Sequence, residues 1–242
     1  MIRNLIKSKP RTEPNFPYEV IRTKRKKSAT IKVEEGKVQV IIPESLSSKR
    51  LELLLKEKTS WIRNKLREYS QIQQIKPKEY VSGECFSYLG RNYRLKLTGT
   101  DSGEVKLKGG QFVLGVDAKL SGDEKTGFIR ESLLEWYFTH AKERLKEKTE
   151  RYAKLIGVEP NSVIVKSYKS RWGSCSSKGD ISYNWKIIIA PHRIVDYVVV
   201  HELCHMLHHN HSDKFWKSVE RFLPDYRECR EWLKYNGMIL TI

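Results

Sequence analysis

Long apolar runs are missing from this 242-residue chain, and none reaches the ~18 residues that a membrane-spanning helix needs. The opening stretch, MIRNLIKSKPRTEPNFPYEV, holds no apolar core of the length found in a signal peptide. We therefore expect a cytoplasmic protein with no membrane association. Cysteine is scarce and scattered, at Cys85, Cys175, Cys204 and Cys229. With no close pair, a CxxC metal knuckle is excluded, and four reduced thiols are a better reading than a disulfide framework. Acidic residues are outnumbered, 29 against 46 Lys and Arg, which leaves a formal charge of +17. A field of that sign favours nucleic acid, anionic membrane surfaces or acidic substrates without choosing among them. Glutamates are interleaved with the basic residues in stretches such as AKERLKEKTERYAK, the pattern of a solvated helix face. The densest basic run, Lys24 to Lys27, reads either as a solvated turn or as a phosphate patch.

What is present is enough for a core. Hydrophobic residues make up 39% and aromatics 10%, which excludes global disorder. Residues 1–17 carry three prolines and no periodicity, and read as a flexible N-terminal arm. From 18 to 122 we expect a β-rich region with one helix. YEVIRT and ATIKVEEGKVQVIIP alternate apolar with polar around Glu35-Gly36, which predicts a hairpin. SSKRLELLLKEKTSWIRNKLREYSQI places Leu51, Leu54, Leu55, Trp61, Ile62 and Leu66 at helical spacing behind a serine cap. FSYLGRNYRLKLTG and GEVKLKGGQFVLGV read as a small antiparallel sheet. From 123 to 242 the pattern changes, and we expect a second, largely helical core. A long amphipathic helix there ends at Gly157, and two strand-like runs, NSVIVKSYKSRWGSC and DISYNWKIIIA, are joined by the turn SSKG.

Five of the seven histidines fall between His201 and His211, behind a run of three valines. Pro191 is well placed to open a helix there, and from Ile194 to Leu207 nearly every face is apolar, so this helix should be buried. Imidazoles on a buried helix need a partner, either water or a metal. His201-Glu202-Leu203-Cys204-His205 is HExxH, and residues four apart on a helix project from one face. Two imidazoles with an adjacent carboxylate form a catalytic zinc site when a third ligand is found and one position stays open for water. We assign His211 as that ligand, reached after a turn at Asn210. The competitors are His208 and His209, and on a straight helix His209 lies about 12 Å along the axis from His201. Glu202 is the base. A closed structural zinc site would need a fourth ligand and no base, and Cys204 faces away from the histidine pair.

The stretch SRWGSCSSKGDISYNWKIIIAPHRIVDYVVVHELCHMLHHNHSDKFW resembles the signature of the YgjP-like metallopeptidases, relatives of the SprT-like and WLM zinc peptidases. VIRTKRKKSATIKVEEGKVQVIIP, YLGRNYRLKL and LPDYRECREWLKYNG fit as well, so the resemblance spans nearly the whole chain from Tyr18. It implies His201, His205 and His211 as zinc ligands from HExxH followed by HSxxFW, with Glu202 as base. The metzincin spacing of histidines is also met, but His208 stands where that pattern has its glycine.

The fold we expect is α+β: an N-terminal β-rich region packed on a C-terminal zincin-like helical core with a short antiparallel sheet. The function is a zinc (Zn2+) metallopeptidase acting on a peptide or protein substrate through a water activated by Glu202. A nucleic-acid-associated, SprT-like protease and an inactive metal-containing binding module are the alternatives. Arg171 and Trp172 read as a substrate-binding edge, where an extended peptide adds as a strand, or else Trp172 and Trp185 pack the hairpin on the helix. Phe215 and Trp216 anchor the segment carrying His211. Asp196 is either an acceptor for a ligand N–H or an ordinary helix-face aspartate. Tyr183, Tyr226 and Arg171 are candidates for a second donor to the oxyanion.

Overall fold

The computed structural model describes residues 16–25, 28–34, 36–72, 76–99 and 103–242. Most of the N-terminal arm, and Lys26 and Lys27 of the basic run, lie outside these residues. The chain divides into two compact units, with the boundary between Lys76 and Pro77. No helix among the described residues is long and apolar enough to cross a membrane.

The first unit is a three-stranded sheet with one helix. Strands β1 (Tyr18–Thr23), β2 (Thr30–Glu34) and β3 (Lys37–Pro43) are followed by α1 (Ser48–Ile72). Val38, Val40 and Ile42 recur at the two-residue period of a strand, and all three are buried. The hairpin expected around Gly36 is β2 with β3, and Gly36 takes a positive φ of 69° in its turn. β1 pairs with the other side of β3 in parallel. Leu51, Leu55 and Ile62 bury one stripe of α1, while Trp61 stays 44% exposed. The Ser47 hydroxyl accepts from the Arg50 amide at 3.3 Å, which is the serine cap anticipated for this helix. Phe16, assigned to the arm, is buried edge-on against Tyr18, because an aromatic side chain next to a strand has an apolar face to cover.

The second unit runs from Pro77 to the C-terminus. Its first sheet contains β4 (Cys85–Tyr88), β5 (Arg91–Thr98), β6 (Val105–Lys108) and β7 (Gln111–Gly115), in the order β4-β5-β7-β6. Two antiparallel hairpins are joined through the second strand of each, so the central β5–β7 pair is parallel and the sheet is mixed rather than antiparallel. Its inner face, with Phe86, Tyr88, Leu95, Phe112 and Leu114, belongs to one core with Trp136 and Tyr137 of helix α2 (Gly122–Ile156). This shared core is why the boundary falls at Lys76 rather than at residue 122. Gly157 ends α2 in the left-handed region, with φ 83° and its amide on the Ala153 carbonyl, as the sequence pattern anticipates.

The second sheet is β8 (Ser162–Lys166), β9 (Gly173–Cys175) and β10 (Asp180–Asn184), in the order β8-β10-β9. The β9–β10 hairpin turns through Ser176–Gly179, while β8 runs parallel to β10, so this sheet is mixed too. The run Trp185–Ile189, expected to continue the strand, is a 3-10 helix instead. The Asn184 side chain caps it by accepting from the Lys186 amide, and Ile187, Ile188 and Ile189 are all buried. Helices α3 (His192–Cys204), α4 (Asp213–Phe222) and α5 (Tyr226–Asn236) complete an α+β architecture.

The tip of the β4–β5 hairpin docks on this 3-10 helix. Leu89 and Gly90 both have positive φ, 49° and 80°, the pair that a two-residue type I′ turn requires. The Leu89 amide donates to the Ile188 carbonyl at 2.7 Å. A Cβ on Gly90 would come within 2.7 Å of the Pro191 Cα, against backbone that cannot swing aside. Gly109 has a similar φ, 59°, and open space around it. Gly90→Ala is therefore expected to cost ~2–4 kcal/mol, and Gly109→Ala only the ~1 kcal/mol of the left-handed backbone. Thermal melts followed by circular dichroism should place Gly90→Ala roughly 5–15 °C below the wild type and well below Gly109→Ala.

Candidate metal centre

Helix α3 is apolar on nearly every face because Ile194, Val195, Val198, Val199, Val200, Leu203 and Cys204 are all buried in the second unit's core. Glu202 in its last turn is buried with it, and His201 and His205 are half-buried at the same end. The helix stops at Cys204, and His205 is the residue that closes it, at φ −65° and ψ −20°. This is earlier than the apolar pattern suggests. Asn210 is not among the residues with positive φ, so the chain turns back through residues 205–212 without the left-handed step anticipated there. His205 keeps helical dihedrals, and it therefore still lies over His201.

Three imidazoles converge. His201, His205 and His211 each offer a ring nitrogen, and these nitrogens all lie within 4.8 Å of one another. No other group of three or more His, Cys, Asp or Glu among the described residues is arranged to hold a metal. The Nε2 atoms of His201 and His211 are 3.1 Å apart. Two nitrogens at zinc–nitrogen distance in a tetrahedron lie about 3.3 Å apart, so the spacing fits a shared cation. The His205 Nδ1 is 3.2 Å from the His208 carbonyl oxygen. A carbonyl only accepts, so Nδ1 carries the ring proton and Nε2 keeps its lone pair for a metal. His208 thus acts through its backbone, a role the sequence does not signal.

Burial and the neighbouring imidazoles push His201 down to about 3, which leaves it neutral and able to ligate at pH 7. Burial lowers His205 as well. The Nδ1 of His201 is buried without a hydrogen-bond partner, which leaves Nε2 as the nitrogen that finds one. Phe215, wholly buried on α4, brings its ring centroid within 5.0 Å of those of all three histidines. Trp216 lies nearly parallel to His211 at 5.5 Å, and also to Tyr226 of α5 at 5.3 Å. Both aromatic residues hold the segment carrying His211.

Glu202 stands beside this triad and is not part of it. It is 6% exposed, and burial pushes its carboxyl up to about 8, with the Arg171 guanidinium pulling the other way. A dication among the imidazoles would also favour the ionised form. The carboxyl lies directly on strand β9. A Cβ on Gly173 would come within 2.6 Å of Glu202 Oε1 and 2.8 Å of its Cδ, so any side chain there would displace the carboxyl. The signal was in the RWGSC stretch, where the glycine is as informative as its neighbours.

The remaining sequence candidates separate. Arg171 is exposed, with its guanidinium 5.6 Å from the Tyr168 ring centroid. Trp172 is half-buried against Gly237, and its carbonyl accepts from the Asn184 amide. Tyr183 is excluded as an oxyanion donor, because its hydroxyl is buried on Thr149. Asp196 pairs with Lys148 of α2 at 2.6 Å and ties two helices together, so it is not an acceptor for a ligand.

With this geometry in view, the YgjP-like metallopeptidase domain model matches residues 27–236. The chain belongs to the YgjP-like metallopeptidases. A metallopeptidase domain implies a metal ion, and in this YgjP-like chain the histidine triad is a group that can hold one. Among solved structures, the crystal structure of the metallopeptidase zymogen of Pyrococcus abyssi abylysin is similar at 23% identity and a TM-score of 0.34, over 37% of this chain and 93% of that one. No curated protein matches the chain.

The ligand assignment is testable among closely spaced histidines. His211→Ala is expected to lower the metal content of the purified protein at least about 10-fold, as loss of a ligand does. His209→Ala should leave the metal content unchanged, and so should His208→Ala, which keeps its carbonyl. Elemental analysis of the three variants decides, and normal metal in His211→Ala with loss in either of the others would reassign the third ligand.

Proposed function

We propose that the protein hydrolyses peptide bonds with a zinc ion held by His201, His205 and His211 and with Glu202 as the proton carrier. The observation that carries this reading is a buried carboxyl set beside three converging imidazoles without joining them. Three neutral nitrogen donors suit zinc better than magnesium or calcium, which prefer oxygen. Zinc bound there supplies Lewis acidity towards water and towards the scissile carbonyl. Glu202 accepts the proton of the attacking water at a carboxylate oxygen and delivers it to the leaving amine. Gly173 fixes where that oxygen sits, and Arg171 favours its ionised state.

Substrate lies along β9 in this reading. β9 is an edge strand, paired with β10 on one side only, and an extended peptide can add to the other. Arg171 and Trp172 lead into that edge. Trp172 is engaged with Gly237, which leaves Arg171 as the contact open to a substrate. The net charge of +17 supports a second reading, in which the protease works on nucleic-acid-bound proteins, and salt-dependent retention on DNA would test it.

Glu202→Gln keeps the shape of the side chain but cannot take a proton at neutral pH. It is expected to retain zinc and fold while losing at least about 100-fold in peptide turnover. Undiminished turnover, in protein free of contaminating protease, removes Glu202 from the mechanism. Gly173→Ala should also keep its metal and lower kcat at least about 10-fold by displacing the carboxyl, since misplacement on the ångström scale is costly in catalysis. A kcat equal to the wild type would show that this contact does not position the base.

A further inference from the structure

Helix α5 brings a cation to the rim of the metal centre. Arg230 is exposed on this helix, one turn after Tyr226, and its guanidinium carbon lies 4.8 Å from the Trp216 ring centroid. Trp216 is the ring that lies nearly parallel to His211, and its centroid is 5.8 Å from that of His201.

Three acidic groups of α4, α5 and the turn between them pair with other arginines. Asp225 and Glu228 lie 4.0 and 3.4 Å from Arg193, and Glu220 lies 3.3 Å from Arg227. Among the described residues Arg230 forms no ion pair. The same is true of Arg171, which lies over Tyr168 and stands two residues before Gly173, the residue that faces the Glu202 carboxyl. Two arginines with unneutralised charge, each resting on an aromatic ring, therefore flank the triad and its base. An arginine resting on an aromatic face loses less freedom on binding and keeps the edges of its guanidinium for a bidentate partner. The partner that fits such a fork is a carboxylate.

We infer that Arg230, on its Trp216 platform, is a substrate-binding residue that takes a carboxylate of the peptide near the scissile bond, with Arg171 as the matching cation beside Glu202. The inference rests on the peptidase reading above and gives it a substrate class: peptides with an acidic side chain, or a free C-terminus, close to the bond that is cut. Such a contact is a charge-assisted hydrogen bond, so it corresponds to about 10-fold or more in affinity.

The test uses the full-length, zinc-loaded protein and four peptides of one sequence, with Glu or Gln beside the cleavage site mapped in a peptide library, each with a free or an amidated C-terminus. The wild type should favour the carboxylate-bearing member at least about 10-fold in kcat/KM, mainly through KM. Whether Glu over Gln or free over amidated C-terminus carries the preference identifies the source of the carboxylate. Arg230→Ala should bring the ratio close to 1, and Arg230→Lys should restore only part of it, all compared at equal metal content. Binding of the fluorescein-labelled peptides to Glu202→Gln and to Glu202→Gln with Arg230→Ala, read by anisotropy, gives the same comparison without turnover. Cleavage with no preference for a carboxylate, or an Arg230→Ala loss that is equal for all four peptides, overturns the inference and leaves the peptidase standing. Carboxylate-selective binding that needs Arg230, in a protein that cleaves no peptide, upholds the subsite and overturns the peptidase.

Discussion

Everything at the site depends on the burial of α3. A helix with apolar residues on nearly all sides has little solvent face to which polar groups can be consigned, so Glu202 enters the core with it and His201 is left half-buried. That burial holds His201 neutral and raises the Glu202 carboxyl, and it orients both side chains through their neighbours. The core that encloses the helix is assembled from distant parts of the chain: the β4–β7 sheet, α2, the 3-10 helix at Trp185–Ile189, and α4. A metal held by the triad offsets the cost of bringing imidazoles into such surroundings, which couples ligand chemistry to the stability of the second unit.

Much of this was legible from local pattern. Pro191, the apolar run, the i, i+4 histidines and the HSxxFW segment point to a helix and to the three residues that converge, because helix periodicity is a local property. Gly157 marks the end of α2 for the same kind of reason, as only glycine enters the left-handed region freely. What local pattern could not reach was pairing over distance. The parallel β5–β7 and β8–β10 pairs depend on which strands meet after the chain has wound through other elements, and alternation along a strand carries no record of that. Trp185–Ile189 is apolar like a strand, yet the Asn184 side chain caps it as a 3-10 helix.

The finer parts of the site were hidden for a different reason. Gly173 sits inside RWGSC, a stretch read for its side chains rather than for its glycine, while the His208 carbonyl and the stack of Arg230 on Trp216 make no spacing motif. Tyr183 and Asp196 show the converse. Both have the chemistry that a catalytic site uses, and both are spent on packing partners, Thr149 and Lys148. Residue type proposes a role, and the partner that a side chain already has decides whether it is free to play it.

The hydrogen bond from His205 to the His208 carbonyl has one more consequence. The group that orients a metal-centre imidazole is supplied by a peptide unit, which every amino acid carries. Position 208 can therefore change its side chain while its contribution persists, proline excepted because the His208 amide donates to the Cys204 carbonyl, and a survey by alanine replacement would score it as silent. Only chemistry on the main chain would expose it, such as an ester in place of the amide between residues 208 and 209, which makes that carbonyl a poorer acceptor.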